Sequence, residues 1–166
     1  MSEKKEYGMV EKAARDWLTK RGVRIEDIAD LVYFLQVKYH PDLTLDTCIE
    51  NVERVIRKRE VQNAILTGIQ LDIMAEEKKL FAPLQGIIER DESLYGVDEI
   101  IALSIVNVYG SIGFTNYGYI DKQKPGILEM LNDKSSGECH TFLDDIVGAI
   151  AAAASSRLAH RIANVE

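Results

Sequence analysis

The chain has 166 residues, 46% of them apolar and 28% charged, which is enough for one compact domain with a continuous core. Its formal net charge of −7 argues against a general nucleic-acid binder, which needs a concentrated basic face to displace counterions. The two cysteines, Cys48 and Cys139, lie far apart and form no CxxC pair, so a reducing, cytoplasmic compartment is expected. The opening stretch MSEKKEYGMVEKAARDW alternates charges without an apolar core, which argues against secretion. A first helix is predicted over Glu6–Lys20, with Met9, Val10, Ala13, Ala14, Trp17 and Leu18 inward and Gly22 ending it. Ile25, Ile28, Leu31, Val32 and Leu35 recur at helical spacing in a second helix, which His40-Pro41-Asp42 breaks. Thr44 then caps a third, with Leu45, Cys48, Ile49, Val52, Val55 and Ile56 on its inner face. A long fourth helix covers EVQNAILTGIQLDIMAEEKKL, and a short fifth starts near Pro83 with Leu84, Ile87 and Ile88.

After the turn DESLYG, the stretch VDEIIALSIVNVYGSIGF is apolar nearly all round and reads as a central buried helix. NYGYIDKQKPG, with two glycines and a proline, reads as a loop, and Pro125 opens a short helix over Ile127–Leu131. NDKSSGE forms a turn, and HTFLDDIVGAIAAAA begins a last helix that runs to about Arg161. The fold class is therefore all-α: a compact bundle of about seven or eight helices, a single domain over residues 1–166, with no strand. No run of about 20 uncharged apolar residues is present, so no membrane span is expected.

Three acidic spots stand beside the most apolar segments: Asp98-Glu99, Asp121 with Lys124-Pro125, and Asp144-Asp145. Acids in a first helical turn also serve as caps, and Thr141 to Asp144 has capping-box spacing. Adjacent helical residues project about 100° apart, so one carboxylate of a pair can cap while the other turns toward a neighbouring helix. Two such pairs opening two apolar helices can meet at one end of a bundle. Hard oxygen ligands from facing helices are what Mg²⁺ or Mn²⁺ takes. Lys124 then binds a phosphate oxygen as a point charge, from a loop fixed by Pro125. Gly148, Ala149 and Ala151 to Ala154 let a partner helix approach closely. His140, four residues before Asp144, is a possible acid or base or else a solvated loop residue. Asp72, on a fourth helix that also carries Gln62 and Asn63, either reaches the same site or faces solvent.

The blocks DEIIA, IDKQKPGI and FLDDIVGAIAA resemble, in order, three blocks of the phosphatidylglycerophosphatase A family, and most resemble its soluble, YutG-like branch. Asp98 and Glu99 match the Asp-Glu pair; Asp121, Lys124 and Pro125 match the Asp-x-x-Lys-Pro block; Asp144 and Asp145 match the Asp-Asp pair. The resemblance covers residues 59–161 and leaves 1–58 as an N-terminal helical extension. Gln123 stands where the family usually has Trp, Ala102 replaces a glycine, and only Thr67-Gly68 echoes an early Gly-Thr-x-Gly stretch.

The resemblance implies Mg²⁺-dependent hydrolysis of phosphatidylglycerophosphate to phosphatidylglycerol and phosphate. It makes Asp98, Glu99, Asp144 and Asp145 metal ligands and Lys124 the phosphate binder, with Asp121, Lys124 and Asp145 as the catalytic group. Asp121 is a further ligand, a general base or the nucleophile. Peripheral membrane contact is expected through the basic stretch Arg54 to Arg59, and self-association is expected of an apolar-rich helical chain. The alternatives are a phosphatase of a soluble phosphorylated metabolite or nucleotide, and a non-catalytic relative that binds lipid or protein. An all-helical nucleotide pyrophosphatase ranks lower, because Glu76-Glu77 and Glu89 do not reproduce its ExxE pattern.

Overall fold

Three twelve-residue helices, α1 (Met9–Lys20), α2 (Ile25–Gln36) and α3 (Leu45–Ile56), begin the computed structural model, which describes residues 7–164. The expected start of the first helix at Glu6 lies outside the described residues. Met9 is 86% exposed rather than inward, whereas Ala14 and Leu18 enter the core as expected. Thr44 caps α3 as its sequence position predicts: its hydroxyl oxygen accepts the Thr47 N–H at 3.2 Å. Thr44→Ala is expected to cost about 1 kcal/mol, read as a fall of about 2–4 °C in melting temperature.

The chain continues through α4 (Arg59–Glu76), α5 (Leu84–Glu89), α6 (Val97–Val106), a 3-10 turn (Asn107–Tyr109), α7 (Ser111–Gln123), α8 (Ile127–Asn132) and α9 (Leu143–Ala163). The result is an all-α bundle with no strand among the described residues, as the periodicity predicts. No helix of the described residues is long and apolar enough to cross a membrane.

Two expectations are corrected. Residues 97–114 are not one central buried helix. Gly110, at φ +87°, adopts a backbone that non-glycine residues avoid, and it separates α6 and its 3-10 turn from α7. The outer face of α6 is open, with Ile100 64% exposed. The second correction concerns 116–123, which is helix rather than loop. Glycine lowers helix propensity by about 1 kcal/mol, but Tyr117 and Ile120 are buried against α9, and that packing outweighs the local preference.

The central position belongs to α9. Every residue from Leu143 to Ser156 is buried. α2, α3, α4, α6, α7 and α8 all pack on this helix, while α1 packs on α4. Alanine at 151 to 154 keeps α9 thin enough for so many neighbours. Both α6 and α9 begin with acidic residues, and α7 ends with them, so the packing order determines where these groups meet.

Candidate functional site

The N-terminal ends of α6 and α9 and the C-terminal end of α7 surround a cavity of about 290 Å³. Asp98, Glu99, Asp121, Lys124, Asp144 and Asp145 line it, together with Asp91, Glu92, Ser93 and Asn132. The three acidic blocks, separate in the chain, therefore share one cavity. Among the described residues, no apolar side chain lines it.

α7 stops at Lys124, which takes a left-handed backbone conformation (φ +48°, ψ +47°) unusual for a non-glycine residue. Its ammonium donates to Asp121 Oδ1 at 2.7 Å and to Asp144 Oδ2 at 3.1 Å. Burial works against this charge, but Asp144 and Asp121 overcome it and raise the Lys124 pKa. Asp144 also accepts the Asp145 N–H at 2.8 Å. Burial lifts the Asp144 carboxyl to about 6, even with Lys124 pulling it down.

Asp145 is the most perturbed of the pair. Burial, the neighbouring Asp144 charge and hydrogen bonding with Asp98 push it up to about 10. It therefore keeps a proton at neutral pH, chiefly because the carboxyl is buried and secondly because the cavity holds more negative charge than Lys124 can balance. The Tyr117 hydroxyl donates to Asp145 Oδ1 at 3.1 Å from inside the α7–α9 interface. Burial and the same carboxylates raise the tyrosine pKa too, so Tyr117 acts as a neutral donor.

Two candidates lie elsewhere. His140 is tied by Nδ1 to the Leu131 carbonyl (3.0 Å) and by Nε2 to Glu138 (2.9 Å). It lines an adjoining cavity of about 230 Å³ that shares only Asp91, Asn132 and Asp144 with the acidic one. Asp72 neither faces solvent nor lines the acidic cavity. It is fully buried and accepts the N–H groups of Phe142 and Leu143, both at 3.0 Å. The capping box expected from Thr141 is absent, since its hydroxyl donates to the Ile88 carbonyl at 2.6 Å.

Asp91, Asn132 and Tyr117 escaped the sequence reading. Asp91 lies in the turn before α6 at φ +51°, and burial raises its pKa. Tyr117 stands four residues before Asp121 on α7, a same-face spacing that is invisible when the stretch is read as loop.

The donor set is hard and anionic, which suits a small divalent cation chemically. Among the described residues, no three His, Cys, Asp or Glu side chains already stand at metal-holding separation. Lys124 occupies Asp121 and Asp144, and Asp98 and Asp145 are paired with each other. Accommodating an ion therefore requires these side chains to turn from each other toward it.

An all-helical domain with three acidic helix ends and one lysine around a polar cavity is the arrangement anticipated from the ordered motif blocks. A model of the phosphatidylglycerophosphatase A family matches residues 16–160, and the chain belongs to that family. The match takes in only the last turn or so of α1, from residue 16, and all of α2 and α3. Over 166 residues, the whole of both chains, it is 70% identical to the uncharacterized protein YutG of Bacillus subtilis (strain 168). It is 60% identical over 158 residues to the uncharacterized protein YpjQ of the same organism, covering 94% of this chain and 89% of that one. Among solved structures, the low temperature requirement C protein from Listeria monocytogenes superposes with a TM-score of 0.93 at 70% identity, covering 95% of this chain and 99% of that one. A protein of unknown function from Bacillus stearothermophilus gives 0.91 at 76% identity, covering 96% and 99%.

Proposed function

We propose that the acidic cavity is the active site of a divalent-cation-assisted phosphomonoesterase whose substrate is a hydrophilic phosphorylated compound. The observation that carries this reading is the gathering of Asp98, Glu99, Asp121, Lys124, Asp144 and Asp145 around one cavity without an apolar side chain among the described residues. Asp98, Glu99, Asp144 and Asp145 hold Mg²⁺ or Mn²⁺, directly or through water. When bound, such a cation would neutralise phosphate oxygens and lower the pKa of water held beside it. Lys124 releases Asp144 and takes a phosphate oxygen, while Asp121 keeps the ammonium aimed into the cavity. Tyr117 holds Asp145 Oδ1 and so fixes a carboxyl that would have to leave Asp98 to reach a cation.

A second reading, the lipid phosphate that the family name implies, has its own observation. Leu94 (89% exposed), Val97 (45%) and Ile100 (64%) stand beside Ser93, Asp98 and Glu99. They form an apolar rim suited to resting on a bilayer surface. Phosphate release from soluble phosphomonoesters, nucleotides and vesicle-borne phosphatidylglycerophosphate, each with Mg²⁺ and with chelator, separates the readings. Soluble substrates are expected to be turned over with Mg²⁺ alone. Lys124→Gln raises their KM about 10–100-fold, the value of a lost charge-assisted hydrogen bond. Turnover confined to vesicles transfers the assignment to the lipid, and no turnover of any substrate leaves a binding protein.

A further inference from the structure

α4 carries two residues, Gly68 and Asp72, one helical turn apart and both buried. Gly68 makes room for the start of α9. A Cβ at this position would clash with Ile146 Cδ1 and come within 3.0 Å of Phe142 Cβ. Asp72 takes up what that approach brings near: its Oδ1 accepts the Phe142 N–H and its Oδ2 the Leu143 N–H, each at 3.0 Å. These donors belong to the first turn of α9, where backbone N–H groups have no partner within the helix. The N-cap residue Phe142 has no polar side chain to offer, and the helix's own contribution is limited to the Asp144 carboxylate, which accepts the Asp145 N–H.

The anchoring extends one turn further along α4. Glu76 accepts the Cys139 N–H at 2.5 Å. Arg21, just after α1, donates to the Cys139 carbonyl at 2.8 Å and pairs with Glu76. Segment 139–143 is thus held at both ends by side chains from outside α9.

We propose that Asp72 is a positioning residue that sets the rotation and depth of the first turn of α9, and so the aim of Asp144 and Asp145. It touches neither substrate nor ion. A cap supplied from within the helix turns with the helix. A cap supplied by α4 resists such rotation, and displacement of reacting groups by about 1 Å can cost 10²-fold in rate. Asp72 is the acceptor shared by two consecutive N–H groups, and the next two residues are the paired aspartates. The inference rests on the reading of the acidic cavity as a cation site.

The test measures Mg²⁺ binding by calorimetry, with no substrate present. Asp72→Asn keeps the side-chain shape but offers one acceptor to two donors. Asp72→Ser keeps one hydroxyl and serves if the asparagine variant does not fold. Leu35→Ala, in the core far along the chain from the acidic blocks, supplies a protein destabilised to a matched melting temperature. The dissociation constant for Mg²⁺ is expected to rise about 10–100-fold in the Asp72 variant, as for other groups that orient ligands, and to stay at the wild-type value in Leu35→Ala. Excess Mg²⁺ should restore kcat in the Asp72 variant. Wild-type affinity in a folded Asp72 variant overturns the positioning role while leaving the cation site standing. Equal weakening in Leu35→Ala reduces Asp72 to a structural cap. Absence of Mg²⁺ binding by the wild-type protein removes the cation site itself, and the inference with it.

Discussion

Asp145→Asn is expected to reduce Mg²⁺-dependent phosphate release by more than about 100-fold, since even groups that merely orient metal ligands are worth 10–100-fold. The same change should make the cation-free protein more resistant to unfolding at pH 8. The two effects have one origin. Asp145 is buried among carboxylates, and its pKa rises from 3.8 to about 10. Between those values the unfolded chain gives up a proton that the folded chain keeps. Its contribution to stability therefore falls continuously as pH rises through that window. Asparagine has no proton to give up, so that slope vanishes. It still accepts from Tyr117 and can donate to Asp98, which preserves the local geometry. Rates with Mg²⁺, and melting curves from pH 6 to 9 in chelator, test both halves. A folded variant with the wild-type rate, or with a pH profile of stability parallel to wild type, refutes the account.

The largest expected loss of stability comes from Phe142→Ala. Phe142 is fully buried where α9 begins, and its ring meets Tyr95 edge-on at 5.7 Å between centroids. Truncating a buried phenylalanine costs about 3–5 kcal/mol, through lost transfer energy and the cavity left behind. For a chain of this size each kcal/mol lowers the melting temperature by about 2–4 °C, so a drop of roughly 6–20 °C is expected in calorimetry. Phe142 also faces Gly68 across the α4–α9 contact, so its neighbours cannot easily close the gap without moving the first turn of α9. Activity should fall even at temperatures where the variant stays folded. Loss of less than about 1 kcal/mol would mean that the site repacks freely.

The all-helical class and the acidic blocks were legible because both depend on local spacing, whereas the described residues form nine α-helices against the seven or eight expected. Val52, Val55 and Ile56 repeat at helical intervals whatever surrounds them, and Thr44 caps its own helix. The failures share a different cause. Residues 116–123 looked like a loop because glycine weakens a helix locally, and only contact with α9 reverses the preference. The stretch 97–114 looked buried because it is apolar, yet its outer face is left uncovered. Asp72 read as either a site residue or a solvated one. Its partners, Phe142 and Leu143, lie 70 and 71 residues away in the chain, and no pattern around residue 72 reveals them. Asp91 and Asn132 reach the cavity from a turn and a short helix end, where sequence periodicity carries no information.

The enclosure of α9 on all sides has a thermodynamic consequence. Helices at a protein's periphery can detach and return while the remainder stays assembled, and many functional segments draw their mobility from such partial opening. α9 has less of that freedom: six other helices pack along its length, and every residue from Leu143 to Ser156 is buried. The carboxylate pair at its tip therefore rides on the most deeply packed helix of the molecule, and partial opening of the outer helices leaves that helix in place.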